Sequence, residues 1–161
     1  MVMRNILPLF FIISSLSISQ DYNKGLMCFL DKDYVCSRNH FENIINNNDN
    51  LNTTTIEYAH YYLFLSALNL YHNDTEYLFN SFIFQFPFSN KKEEATFFMS
   101  QYLFEKKQYK EVVELLSQIN LYHFPDSQQK RVFFYLGYSA YKEQSYNVAK
   151  NSFYELIIDL D

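Results

Sequence analysis

From Gln20 onward, apolar residues recur three and four positions apart through nearly the whole chain, separated by short polar or turn-forming stretches. That spacing lines up apolar side chains on one face of a helix. It predicts helices over 21–31, 34–47, 54–71, 74–86, 90–106, 109–119, 127–143 and 146–160. The connections read DKD, NNNDNLN, HND, FSN, KKQ, FPDS and EQS, too short for anything but helices that double back as hairpins. The pattern therefore predicts an all-α chain of about eight helices in four hairpins.

The hairpins share a register. Gly25 and Gly137 each precede a tyrosine by nine residues (Tyr34, Tyr146), a small residue by twelve (Ser37, Ala149) and a phenylalanine by sixteen (Phe41, Phe153). Pro87 and Pro125 each open the phrase P-x-S between hairpins, where proline ends one helix and turns its neighbour away from helical geometry. Asn90 with Glu93, and Asp126 with Gln129, have capping-box spacing; Asn73 or Asp74 can begin the fourth helix.

Composition narrows the class. Two glycines and three prolines are too few for a protein built on tight β-turns. A hydrophobic share of 48% against 19% charged residues excludes general disorder. The net charge of −5 and the scattered Lys and Arg argue against a nucleic-acid surface. Abundant Asn, Tyr, Phe, Ile and Lys also match AT-rich codon usage, which lowers the weight of any single aromatic residue.

The opening MVMRNILPLFFIISSLSISQ has one basic residue, Arg4, an apolar run from Ile6 to Ile18, and Ser17 and Ser19 at the −3 and −1 positions of a cut before Gln20. These features predict a secretory signal over 1–19, with an uncleaved anchor or a buried helix as the alternatives. The run is shorter than the roughly twenty residues that a membrane-spanning helix needs. Cys28 and Cys36 flank a short helix–helix turn, where a bond is geometrically demanding. Buried free thiols are the expectation, and without a nearby histidine pair they make no zinc site.

The register resembles the tetratricopeptide repeat, with L-G on a first helix and A-x3-F on the second. Phe133, Leu136, Gly137 and Ala140, then Tyr146, Ala149, Phe153 and Leu156, carry the resemblance in the last repeat. Gly25, Cys28, Tyr34, Ser37, Phe41 and Ile44 carry it in the first. Met99, Ser100, Leu103, Tyr109, Val112, Leu116 and Ile119 give a weaker third repeat; in the second, Ser66 and Ala67 compete for the small position. A period near 37 residues is similar to exported members: cell-division coordinators associated with Tol-Pal, outer-membrane-assembly lipoproteins and, above all, large proteins of Bacteroidota envelopes. The resemblance implies a right-handed superhelical solenoid over 20–161, with repeats near 20–50, 54–88, 90–124 and 127–161.

Each glycine has a physical role in that register. Gly137 allows close approach of the returning helix, with Ala149 as the matching surface and Phe133, Leu136, Tyr146 and Phe153 filling the grooves. Gly25, Tyr34, Ser37, Phe41 and Tyr109 hold the corresponding repeat-packing positions. Helix-interior glycine costs ~1 kcal/mol, which the burial of one phenylalanine, about 1.5–3 kcal/mol, offsets.

No catalytic motif accompanies the repeats: there is no phosphate-binding glycine loop, G-x-S-x-G, HExxH or Cys–His zinc pattern. His40, His60, His72 and His123 are isolated from one another in sequence; His72 and His123 fall in connections, and His40 and His60 are free to meet a carboxylate in space. The carboxylates Asp31, Asp33, Glu93 and Glu94 sit where they favour helix N-termini. Asn52-Thr53-Thr54 and Asn73-Asp74-Thr75 match the glycosylation sequon.

The sequence expectation is therefore a non-enzymatic scaffold of the cell envelope, exported to the periplasm or outer membrane and without cofactor or metal. It would bind a protein or peptide in the concave groove lined by the first helices. By the resemblance, that groove comprises Glu94, Phe97, Gln101, Phe104 and Glu105 in the third repeat. Arg131, Phe134, Tyr138, Tyr141 and Lys142 line it in the fourth. The last helix still presents Leu156, Ile157, Ile158 and Leu160, so the chain is expected either to begin a longer array or to pair through that helix. A self-assembling envelope array and an envelope hydrolase are the rival readings.

Overall fold

The computed structural model describes residues 20–47 and 52–157, so the expected signal segment and the end of the last helix lie outside the described residues. Helices and their connections make up the described residues, with no strand among them. The helices are α1 (20–30), α2 (Tyr34–Asn46), α3 (Thr53–Asn69), α4 (Thr75–Gln85), α5 (Lys92–Glu105), α6 (Tyr109–Leu116), α7 (Asp126–Lys142) and α8 (Tyr146–Ile157). A single 3-10 turn, Leu121–His123, precedes α7. No helix among them is long and apolar enough to cross a membrane. The chain divides at Ser89 into two compact units of two hairpins each.

The four hairpin turns are built alike. Lys32, Tyr71, Lys107 and Gln144 all have positive φ, and they stand 39, 36 and 37 residues apart. At each turn that residue's N–H donates to a carbonyl three residues back, and the next N–H donates to one five residues back. The two carbonyls are Phe29 and Cys28, Leu68 and Ala67, Phe104 and Leu103, and Tyr141 and Ala140. This paired capping satisfies carbonyls left open at a helix end and reverses the chain. Glycine normally takes the left-handed position; here ordinary side chains occupy it all four times.

In the first unit, α1 lies on α2 at Gly25, where an added Cβ would stand 3.1 Å from the Phe41 ring and the His40 Cβ. Phe41, Ile44, Ala59 and Leu63 form the core, with Tyr22 and Tyr62 packed against it. Tyr62 stacks on Phe41 at 5.3 Å and meets Phe29 edge-on at 5.1 Å, so α3 touches both helices of the preceding hairpin. Between α2 and α3, Ser66 donates to Ser37 at 3.0 Å with both residues fully buried. Small hydroxyls at that crossing allow close approach and satisfy each other. Ser66, the candidate that competes with Ala67 for a small position, thus faces the preceding hairpin.

A charged clasp adds to this. Arg38 on α2 donates to both carboxylate oxygens of Asp74, at 2.9 and 2.5 Å, and pairs with Glu42 at 2.8 Å. Asp74 precedes α4 but makes no capping bond; its oxygens go to Arg38 and to His72 at 2.6 Å. Its hydrogen bond from Arg38, with that from His72, holds the Asp74 carboxyl down at a pKa of about 2. The other two helix starts also differ from the expected boxes. Lys91, without a capping bond, precedes α5, while Glu93 accepts from the Asn120 N–H. Gln129 reaches back to the Phe124 carbonyl at 2.8 Å rather than to Asp126.

The cysteines correct the sequence expectation directly. Cys28 and Cys36 are bonded, not free, with Cα atoms 5.8 Å apart. The reversal at Lys32 brings the end of α1 beside the first turn of α2, and Asp33 fixes that turn by accepting from the Cys36 N–H. An eight-residue separation says nothing of this proximity until the turn geometry is known.

In the second unit, α5 packs on α6 and α7, and α7 packs on α8. At Gly137 an added Cβ would come within 2.8 Å of the Phe153 ring. The small position therefore serves Phe153 in particular, while Ala149 is buried nearby. Tyr146, expected to fill the groove of that hairpin, is instead 60% exposed and meets the exposed Tyr141 edge-on at 6.2 Å.

Candidate functional site

The expected groove residues of the second unit do not form one uniform surface. Phe97 is 1% exposed, so it belongs to the core rather than the groove; its ring meets Phe124 at 5.9 Å and Tyr135 at 6.4 Å. The exposed Arg131 lies over that ring at 5.3 Å, a cation covering an aromatic face. Glu94 pairs with Lys91 at 2.8 Å. The Gln101 amide nitrogen is buried and makes no hydrogen bond. Glu105 is exposed at the end of α5.

Phe104, Phe134 and Tyr138 do come together. Phe104 on α5 stands 5.3 Å from Tyr138 and 6.4 Å from Phe134, both on α7. Tyr109 and Tyr135 complete the cluster, at 5.7 and 4.8 Å from Phe104. The pairs are tilted or edge-on, the arrangement that the aromatic quadrupole favours. Phe134, 46% exposed, gives the cluster an open edge, and the exposed Lys142 holds its Nζ 5.3 Å from the Tyr138 ring. The spacing 131, 134, 135, 138, 142 runs down one face of α7. Tyr135 was legible in that spacing but is hidden by a helix aromatic on several sides.

A second constellation lies in the first hairpin. His40, one turn beyond Cys36 on α2, brings a ring nitrogen within 4.8 Å of both cysteine sulfurs. Asp21 on α1 places an oxygen 3.3 Å from His40 Nδ1, an ion-pair distance but not a hydrogen bond. Gln20, Asn23, Lys24, Met27, Cys28, Asp31 and His40 line an open concavity here. The i, i+4 spacing of Cys36 and His40 was available in the sequence; their proximity to Cys28 required the fold.

The other histidines have different surroundings. His60 is half-buried against Phe86 at 5.4 Å, and burial lowers its pKa. His72 is tied to Asp74, as described above. No protein-family model matches the chain, and it has no significant match among curated proteins.

Proposed function

We propose that this chain is an exported, tetratricopeptide-like solenoid that acts as a non-enzymatic protein-interaction scaffold. It binds a peptide or a partner segment on the α5–α7 face. The observation carrying this reading is the Phe104–Phe134–Tyr138 cluster, whose open edge is flanked by Lys142. Half-exposed aromatics bury large area at low entropic cost, and a neighbouring cation adds orientation. The equally capped hairpins with near-constant spacing support the repeat reading. The bonded cysteines support export, because disulfides persist in oxidising compartments.

Panning a random-peptide library against the full chain tests the site. The expected outcome is an enriched consensus whose affinity falls at least about tenfold in Phe134→Ala/Tyr138→Ala, the scale of a lost aromatic hot spot. An enriched peptide that binds this variant unchanged places recognition elsewhere. Self-association is the second reading, favoured by Tyr154 and Ile157, which are 53% and 57% exposed on α8. A concentration-dependent increase in sedimentation, abolished by Tyr154→Glu, would support it.

A further inference from the structure

We propose that the first hairpin contains a redox-gated zinc site in which reduced Cys28 and Cys36, together with His40, bind one zinc(II) ion. One ring nitrogen of His40 and both sulfurs lie within 4.8 Å of one another. Two thiolates and an imidazole are a borderline-soft donor set suited to Zn2+, leaving a fourth position for water. Asp21, 3.3 Å from His40 Nδ1, supplies the adjacent carboxylate that orients a metal-binding imidazole.

The hairpin fold does not itself require these residues. The first and last hairpins correspond at an offset of 112, which relates Gly25 to Gly137, the turn residue Lys32 to Gln144, and Phe41 to Phe153. At the same offset, Asp21, Cys28, Cys36 and His40 correspond to Phe133, Ala140, Val148 and Ser152. The last hairpin closes with none of the four donors. Their convergence in the first is therefore an addition to the repeat, placed along an open concavity.

Bond and metal exclude each other. A dithiol reductant supplies two electrons and two protons, leaving as its own disulfide, and converts the Cys28–Cys36 bond to two thiols. Zinc binding then releases those two protons as the thiolates become ligands. The Cα separation of 5.8 Å lies in the range that a disulfide spans, so side-chain rotation alone can part the sulfurs around an ion. The oxidised hairpin is closed covalently and the reduced hairpin by zinc.

Cobalt(II) is the spectroscopic probe and zinc(II) the competitor, both added to the full chain with a phosphine reductant present or absent. The reduced protein is expected to bind one Co2+ with thiolate charge-transfer absorption, displaced by one equivalent of Zn2+; the oxidised protein shows no such band. Cys36→Ser is expected to abolish the band, and His40→Gln to weaken zinc binding about tenfold or more. Three outcomes overturn the proposal. One is a reduced chain with native helical circular dichroism that binds neither ion. Another is equal zinc affinity in His40→Gln, which leaves only a two-thiol chelate. The third is a reduced chain that loses its helical signal and does not regain it with Zn2+.

Discussion

The first and last hairpins have the same skeleton and different closures. In both, a glycine on the first helix faces a phenylalanine sixteen residues later, and a residue of positive φ turns the chain. The first adds a disulfide between its helices and an arginine clasp to the next hairpin. The last relies on a tighter glycine contact, 2.8 Å against 3.1 Å, and has a buried Ala149 beside it. The repeat register thus specifies a hairpin, while the positions it leaves unspecified carry bonds, charges and candidate sites.

Substituting Gly137 is the hardest test of that comparison. Gly137→Leu should unfold the last hairpin, because the side chain must displace the Phe153 ring; thermal melting followed by circular dichroism reads this. An unchanged melting temperature would falsify the packing assignment. Alanine separates the hairpins further. Gly137→Ala should cost ~1–3 kcal/mol by overpacking, whereas at Gly25 a gain of up to ~1 kcal/mol in helix propensity offsets much of the milder contact.

The disulfide comes next. Reduction should destabilise the chain by about 2–3 kcal/mol, the loop-closure value for so short a ring. Hydrogen exchange should place the loss in α1 and α2, with α7 and α8 unchanged. Equal loosening of both hairpins would deny the bond its local role.

The Arg38–Asp74 clasp gives a smaller, pH-dependent effect. The folded pKa of Asp74 is lowered from 3.8 to about 2, so its contribution is present above pH 3.8 and disappears as pH falls through about 2. Arg38→Gln should reduce stability at neutral pH and flatten that acid limb in urea titrations. Smallest of all, Phe134→Ala/Tyr138→Ala should change stability by no more than about 1–2 kcal/mol, because both rings are partly exposed. Its intended readout is peptide affinity.

Periodicity and punctuation made most helices legible. The turns at DKD, KKQ and EQS, the glycine pair and the helix limits all follow from local spacing, which a helix converts directly into one face. Capping was less legible, since Asp74 and Glu93 found partners 36 and 27 residues away that compete with their local cap roles. Phe97, a groove candidate, and Tyr146, a repeat-packing candidate, show the same limit. Both fit a helical face, yet neighbouring helices bury the first and leave the second exposed.

The sequence alone determined an all-helical chain folded into hairpins, because periodicity and turn chemistry act over a few residues. Only the tertiary structure decided that Cys28 meets Cys36, that His40 joins them, and that Phe104 meets Tyr138. Those contacts depend on where a turn ends and how two helices rotate about their axes, quantities fixed by packing across the hairpin rather than by any one segment.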